Sequence, residues 1–380
     1  MRAPCRKNAK RLAACLPKMT LSCHCKITTI SVVSGVCGRR LPVCSAAMLP
    51  ELNALERIIE LGAGRLQSRV VCDVTLPGGD TYPVHVITLG NPSNKVPGVG
   101  YFGGVHGLER IGAEVVIAYL HSLVMRLQWD STLHRQLESV RLVFMPIVNP
   151  GGMALGTRAN PNGVDLMRNA PIEAQEPVPF LVGGQRISSG LPWYRGQKTG
   201  DMEIENQAVC EVVRSELLSR DFSVSVDCHS GFGTRDRIWF PFAHKRAPIP
   251  HLAEMQALKT IFVQSNNHHR YLIEPQSLQY LAHGDLWDYL YLQSCEESQR
   301  LFLPLTLEMG SWLWVKKNPR QLFSRHGIFN PLLEHRQQRV LRQHLLFLDF
   351  LSRAACGHQL WLPTPDVRAQ HHAQALQDWY

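Results

Sequence analysis

A histidine and a glutamate three residues apart, His106 and Glu109, have the clearest potential for chemistry in this 380-residue chain. They lie in the run GGVHGLE, where an apolar strand is predicted to lead into the first turn of a helix. Side chains three apart on a helical turn face the same way, and zinc accepts both imidazole nitrogen and carboxylate oxygen. The pair could therefore hold one metal ion. A glutamate is also favoured in any first helical turn by the macrodipole, so the pair alone leaves an ordinary helix start open.

The third ligand of such a site is predicted to be His229. A catalytic zinc ion takes three protein ligands and keeps one open position, and ligands of open sheets gather beyond the carboxyl ends of the strands. His229 follows the apolar strand FSVSVDC and precedes the loop SGFG, whereas alternation sends Cys228 to the other face. By itself, His229 could equally cap the strand end through a hydrogen bond. Together with the first pair, it predicts a site for one Zn²⁺ ion.

Glu308 and two arginines could complete the chemistry. Hydrolysis by a zinc-bound water needs a carboxylate that accepts the proton, and Glu308 lies at the end of the apolar strand LPLTLEM. A buried carboxylate is costly unless it is paired or catalytic, so an ion pair with an arginine of the long loop remains the alternative. Arg158 and Arg168 lie in that loop, in TRANPNGVDLMRN. Their guanidinium groups suit an anionic substrate group and an oxyanion.

The positive charge is confined to the start of the chain. Residues 1–48 hold nine Lys and Arg and no Asp or Glu, so the remainder has 31 basic and 31 acidic residues and the whole chain carries +9. A neutral body lacks the general attraction to phosphate backbones that dominates nucleic-acid binding, and no apolar run is long enough to cross a bilayer. We therefore expect neither nucleic-acid nor membrane partners. Residues 1–47 are predicted to be disordered, or to precede a true start at Met48.

Cysteine usage gives a weak indication of compartment. Five cysteines lie beyond the first segment, at Cys72, Cys210, Cys228, Cys295 and Cys356. An odd number without paired spacing does not indicate a disulfide framework and suits a reducing compartment. The sequence therefore favours the cytoplasm. It does not indicate an oligomeric state.

Strand and helix patterns alternate after Met48. A helix, a hairpin (SRVVCDVTL and TYPVHVITLG), and then apolar strands separated by amphipathic helices predict an α/β sheet covered on both faces. Residues 48–365 are expected to form a single domain, followed by an irregular tail over residues 366–380. The irregular segment from 151 to about 200 is long for a compact domain, which usually indicates function.

In combination, these motifs resemble the zinc carboxypeptidase family, the metallocarboxypeptidases with an HxxE zinc motif. The family's order and comparable spacing are found in His106 with Glu109, NPGG at 149–152, Arg158, GVDLMRN, His229 and Glu308. The resemblance covers roughly residues 68 to 312. It implies a mixed, mostly parallel sheet of about eight strands between helices.

The resemblance also implies roles for individual residues. His106, Glu109 and His229 would bind zinc. Arg158 would polarise the scissile carbonyl and Arg168 would bind the terminal carboxylate of the substrate. Glu308 would be the general base.

The loop departs from the family at one position. The usual pattern there is DLNRN, and Met167 replaces the asparagine that helps to hold the carboxylate. If Met167 points into the core, Asn169 or a loop backbone amide would take over, and Asn169 is counted among the predicted substrate-binding residues. Tyr280 best matches the family's mobile tyrosine, with Tyr271 as a second choice.

The leading functional prediction is a hydrolase, a zinc-dependent metallocarboxypeptidase that cleaves the amide bond next to a carboxylate-bearing residue. Its substrate would be a peptide or an N-acyl amino acid. The alternative is an aspartoacylase-like zinc amidohydrolase acting on small N-acyl amino acids. An inactive zinc-binding protein is a third possibility, against which Glu308 argues because binding zinc alone needs no general base.

Overall fold

A computed structural model of the protein describes residues 49–296 and 300–380. The predictions for residues 1–47 lie outside these ranges. The described residues all belong to one compact unit, Ala46–Tyr380.

An eight-stranded mixed sheet forms the centre of the described part of the chain. The strands are β1 (Gln67–Thr75), β2 (Thr81–Gly90), β3 (Gly98–Gly103), β4 (Arg141–Met145), β5 (Phe222–Ser230), β6 (Arg237–Phe240), β7 (Leu272–Pro275) and β8 (Leu301–Met309). Their order is β1-β2-β4-β3-β5-β8-β6-β7. The central strands β4, β3, β5 and β8 run parallel, as do β6 and β7, whereas β1 with β2, β2 with β4, and β8 with β6 are antiparallel. The predicted mixed, mostly parallel sheet is confirmed.

Helices connect and cover the strands. They are α1 (Pro50–Leu61), α2 (Arg110–Arg126), α3 (Ser131–Glu138), α4 (Pro150–Leu155), α5 (Ile204–Val213), α6 (Leu252–Ser265), α7 (Leu286–Cys295), α8 (Trp312–Lys317), α9 (Glu334–Cys356), α10 (His358–Trp361) and α11 (Pro365–Trp379). A π-helical turn, Arg214–Leu218, extends α5, and short 3₁₀ turns occur at Leu166–Arg168, Gln276–Leu278 and Pro319–Phe323.

The sheet has an apolar core on each face. Tyr101 packs into the core formed with α1, α2, α6, α9 and α11, and its neighbour Phe102 into the core formed with α5 and α7. Successive residues of a strand point to opposite faces, so a strand buried on both sides must be apolar throughout. The run VGYF meets this condition, and helices flank both faces as predicted.

Several elements differ from the sequence predictions, among them the short helices α4 and α8, which were not predicted. The strand β7 and helix α3 were not predicted; α3 is short, and the Asp130 side chain caps it by accepting from two backbone N–H groups. The irregular tail predicted over residues 366–380 is wrong, because α11 occupies Pro365–Trp379. This helix is anchored by Trp379, which packs edge-on against Phe240 at 4.8 Å and donates to the carbonyl of Ile273. A largely polar helix that buries only Ala375 and Trp379 shows little hydrophobic periodicity.

The five cysteines of the described residues are free, as predicted. In the same part of the chain, no helix combines the length and the apolar character needed to cross a bilayer.

Candidate metal centre and active site

The turn between β3 and α2 positions His106 and Glu109. The sequence predicted the pair on the first turn of a helix. Helix α2 begins only at Arg110, so His106 and Glu109 lie in the turn that precedes it. The amide of Glu109 donates to the carbonyl of His106 at 3.0 Å, which closes the turn. Gly104 adopts a φ of 62°, and a Cβ on Gly107 would lie 2.1 Å from the backbone of Gly152. Only glycine suits both positions.

Three potential ligand atoms converge at this turn. The Nδ1 atom of His106 lies 2.9 Å from Oε1 of Glu109, and Nδ1 of His229 lies 3.1 Å from Oε2 of Glu109. The two Nδ1 atoms are 3.2 Å apart. All three residues are buried, and their ligand atoms lie within 4.8 Å of one another. The structure thus brings together the three residues that the sequence assigned to one ion.

Each histidine contacts a buried aspartate through its Nε2 atom, on the side of the ring away from the ligand cluster. The Nε2 atom of His106 lies 3.0 Å from Oδ1 of Asp165, and Nε2 of His229 lies 2.7 Å from Oδ2 of Asp227. Both aspartates are fully buried. A carboxylate on the outer nitrogen fixes the tautomer that leaves Nδ1 free as a metal ligand. The sequence analysis missed both residues, although Asp227 precedes His229 by two positions and so shares its strand face.

The electrostatics of this cluster fit a divalent cation. Although burial opposes ionisation, the charges and hydrogen bonds of His106 and His229 hold the pKa of Glu109 well below its ordinary value. Burial likewise opposes ionisation of Asp165, but Arg158, His106 and Arg168 lower its pKa well below the ordinary value. Glu109 therefore presents a charged carboxylate oxygen beside two imidazoles. Two imidazole nitrogens and a carboxylate oxygen are a donor set that zinc commonly takes in catalytic sites.

Arg158 adjoins the same cluster. Its Nη1 donates to Oε1 of Glu109 at 2.8 Å and its Nε donates to Oδ2 of Asp165 at 2.9 Å. Its side chain is partly exposed and lines the cavity in front of the cluster. The guanidinium is therefore fixed beside the potential metal ligands.

Glu308 reaches the site through the register of the sheet. It is the strand partner of His229 on β8 and lines the cavity, and its Oε1 accepts from the amide of Phe232 at 3.0 Å. No described arginine or lysine forms an ion pair with it, so the structural pairing left open by the sequence is not observed. Burial and the charge of Glu109 raise the pKa of Glu308 to about 8.

The cavity measures about 530 Å³, a common size for ligand sites. Arg168 and Met167 both line it. The buried guanidinium of Arg168 is held by the carbonyls of Val182 and Met167, at 3.2 and 3.1 Å. Met167 therefore faces the cavity and not only the core.

Of the remaining predicted substrate-binding residues, one lines the cavity and the other does not. Tyr280 lines the cavity, with the Arg168 guanidinium carbon 5.8 Å from its ring centroid. Asn169 does not line it: its Nδ2 donates to the carbonyl of Arg195 and its Oδ1 accepts from the amide of Glu203 at 2.7 Å. The predicted substrate contact of Asn169 is therefore not observed, because loop backbone groups occupy its amide. Tyr271 bonds His344 outside the cavity.

One wall of the cavity is an aromatic cluster that sequence reasoning missed. Phe232 contacts Trp239, Tyr280 and Trp312 with centroid distances of 5.2 to 6.0 Å. These residues come from separate segments, so spacing along the chain gave no signal. The buried carboxylate of Asp285 also reaches the cavity.

Comparison with known proteins agrees with this geometry. Residues 80–312 match the family described as zinc carboxypeptidase, peptidase M14. The chain belongs to the zinc carboxypeptidase family. The matched range contains His106, Glu109, His229 and Glu308.

Individual relatives of this zinc carboxypeptidase family member are distant. Carboxypeptidase SOL1 of Arabidopsis thaliana is 31% identical over 93 residues, which are 24% of this chain and 19% of that protein. Carboxypeptidase D of Anas platyrhynchos is 23% identical over 181 residues, 45% of this chain and 11% of that protein. The matches thus span less than a fifth of these longer relatives.

A solved structure shows the same fold. Bovine thrombin-activatable fibrinolysis inhibitor, in complex with tick carboxypeptidase inhibitor, aligns with a TM-score of 0.58 and 17% identity. The alignment covers 81% of this chain and 97% of that one.

Proposed function

We propose that the protein is a zinc-dependent metallocarboxypeptidase that hydrolyses the amide bond next to a carboxylate-bearing residue. The convergence of His106, Glu109 and His229 within 4.8 Å, in a cavity that also holds Glu308, is the observation that carries this proposal. A site that only stored zinc would not need an unpaired buried carboxylate beside it.

His106 and His229 would hold the ion through Nδ1, and Glu109 through its carboxylate. Asp165 and Asp227 would keep both imidazoles oriented by accepting from Nε2. When bound, zinc would acidify a water molecule and polarise the scissile carbonyl.

Glu308 would take the proton of the attacking water and pass it to the leaving nitrogen. This role requires the carboxylate form. The raised pKa makes Glu308 a stronger base, and the positive charge of an ion beside it would favour ionisation. Its bond from the Phe232 amide fixes one oxygen, which leaves the other for the water.

The arginines would bind the negative charges of the substrate. In the described part of the chain, nothing accepts from Nη2 of Arg158, so this nitrogen is the donor suited to a developing oxyanion. Arg168 would pair with the substrate carboxylate. Tyr280, beside Arg168, would contact the same part of the substrate.

The proposal is tested by measuring zinc content together with amino-acid release from two substrate panels. One panel contains free-acid peptides and the other contains N-acyl amino acids. We expect about one equivalent of zinc and release from peptides. Release from N-acyl amino acids alone would favour the amidohydrolase alternative, and zinc-loaded protein inactive on both panels would refute the hydrolase assignment.

A further inference from the structure

A second cavity, of about 310 Å³, borders the turn that follows β8. Helix α9 and the segment 310–317 supply most of its lining, and it shares no lining residue with the catalytic cavity. We name it the α9 pocket and define it by Asp236, Lys317, Arg336, Arg339 and His344.

Three of these residues are cationic and lack acidic partners. No carboxylate of the described residues forms an ion pair with Lys317, Arg336 or Arg339. Arg336 donates only to neutral acceptors, the carbonyl of Trp314 at 3.3 Å and the side-chain oxygen of Gln321 at 3.4 Å. Arg336 and Arg339 are three apart on α9, so they face the same side of the helix.

The other two residues offset only part of this charge. The carboxylate of Asp236 already accepts from the amide of Gly310 and from the side chain of Gln343. Burial lowers the pKa of His344 to about 4, so its imidazole is neutral near pH 7. Three cations and one carboxylate leave the pocket with two uncompensated positive charges.

Position on the helix adds to the effect. Arg336 lies in the first turn of α9, where a cation opposes the helix macrodipole. An anion in the pocket would interact favourably with both the guanidinium groups and the helix end. Residues 49–380 as a whole hold 31 basic and 31 acidic residues, so this concentration of cations is a local feature.

We propose that the α9 pocket binds a small oxyanion with two or more negative charges, such as a phosphate group. Two guanidinium groups on one helix face can each form paired bonds to oxyanion oxygens, and a concave site concentrates their field. The cavity is large enough for a phosphate group and part of a molecule that carries it.

Isothermal titration calorimetry of the full zinc-loaded chain with inorganic phosphate, at constant ionic strength, tests the proposal. Any phosphate bound at the catalytic centre would be the same in all variants. The measured quantity is therefore the phosphate binding that changes when residues of the α9 pocket are substituted. The double substitution Arg336→Gln with Arg339→Gln should weaken phosphate binding in the α9 pocket at least about tenfold, because the loss of each charge-assisted hydrogen bond lowers the affinity by that much. Succinate serves as a second probe. Saturable binding of either anion in the α9 pocket supports the site, and the order of the two affinities shows whether the pocket prefers the geometry of phosphate or of a dicarboxylate.

The matched control is Lys316→Gln with Arg342→Gln, which also removes two positive charges, one from α8 and one from α9, at exposed positions outside the lining. It should bind phosphate as the wild type does. Equal phosphate binding in all three proteins, or equal weakening by both pairs, would overturn the proposal. If the arginine pair unfolds the protein, Lys317→Gln alone keeps the comparison, with Lys316→Gln as its control.

Discussion

Glu308 is the strand partner of His229: the two residues lie opposite each other at the carboxyl ends of the parallel strands β8 and β5. The pairing of β8 with β5 therefore fixes the position of the potential base, Glu308, relative to the potential metal ligand His229.

The first prediction concerns the base. Glu308→Gln should retain zinc and lower hydrolysis by about a hundredfold to ten-thousandfold, since the amide keeps the shape but cannot accept a proton. Zinc content and kcat/KM are measured on the same preparation. Thr306→Ser, two residues earlier on the same cavity-lining strand face, is the control and should stay near wild type. Activity of the Gln variant within a few-fold of wild type would remove Glu308 from the mechanism.

The second prediction concerns the ligands and their supports. His229→Ala should contain far less than one equivalent of zinc, and Asp227→Asn should bind zinc about ten- to a hundredfold more weakly, because the amide no longer fixes the His229 tautomer. Competition with a chelator measures the affinity. Cys228→Ala changes the residue between them, which faces the opposite core, and should keep wild-type affinity. Full zinc occupancy in the His229 variant would contradict the assigned site.

Much of this site could be predicted from the sequence because its parts lie in short, local patterns. His106 with Glu109, the strand ends at His229 and Glu308, and the arginines of the long loop each leave a signal within a few residues. The contact of Asp227 with His229 is local and follows from strand alternation, whereas the contact of Asp165 with His106 and the aromatic wall around Phe232 depend on how distant segments meet. The failed expectation for Asn169 has the same origin: its amide is occupied by Arg195 and Glu203, more than twenty residues away.

The third prediction concerns pH and stability. Burial and the charge of Asp288 raise the pKa of Asp285 to about 7 from an ordinary value of 3.8. Asp285 therefore ionises first in the unfolded chain, and its contribution to the stability of the wild type decreases as pH rises from about 4 to 7 and then stays level. Asp285→Asn removes this loss, so its stability relative to wild type should increase over that range, by a few kcal/mol at most at about 1.4 kcal/mol per pKa unit.

Urea unfolding at several pH values checks this behaviour. Asp285 caps α7 by accepting from the amides of Trp287 and Asp288. Asp130→Asn is the control, since Asp130 likewise caps a helix but backbone amides and Arg126 lower its pKa. Its relative stability should change in the opposite direction, decreasing as pH rises through the acid range. A stability difference for Asp285→Asn that does not vary with pH would contradict the role given to burial.

The last prediction concerns Met167, which lines the cavity beside Arg168. An asparagine here could donate hydrogen bonds to a substrate carboxylate, whereas a thioether cannot donate any. Asn169 does not replace it, because loop backbone groups occupy its side chain. Arg168 would then hold the carboxylate with less support, and one missing bond to a charged group is worth about 1.5 to 3 kcal/mol, or one to two decades in affinity. We therefore expect weak binding of ordinary peptide C-termini and tolerance of amidated ones.

Met167→Asn should increase the preference for a free-acid peptide over its amide about tenfold or more, measured as the ratio of kcat/KM values, while Met167→Leu should leave it unchanged. An unchanged ratio in the Asn variant would mean that the substrate carboxylate is bound away from residue 167.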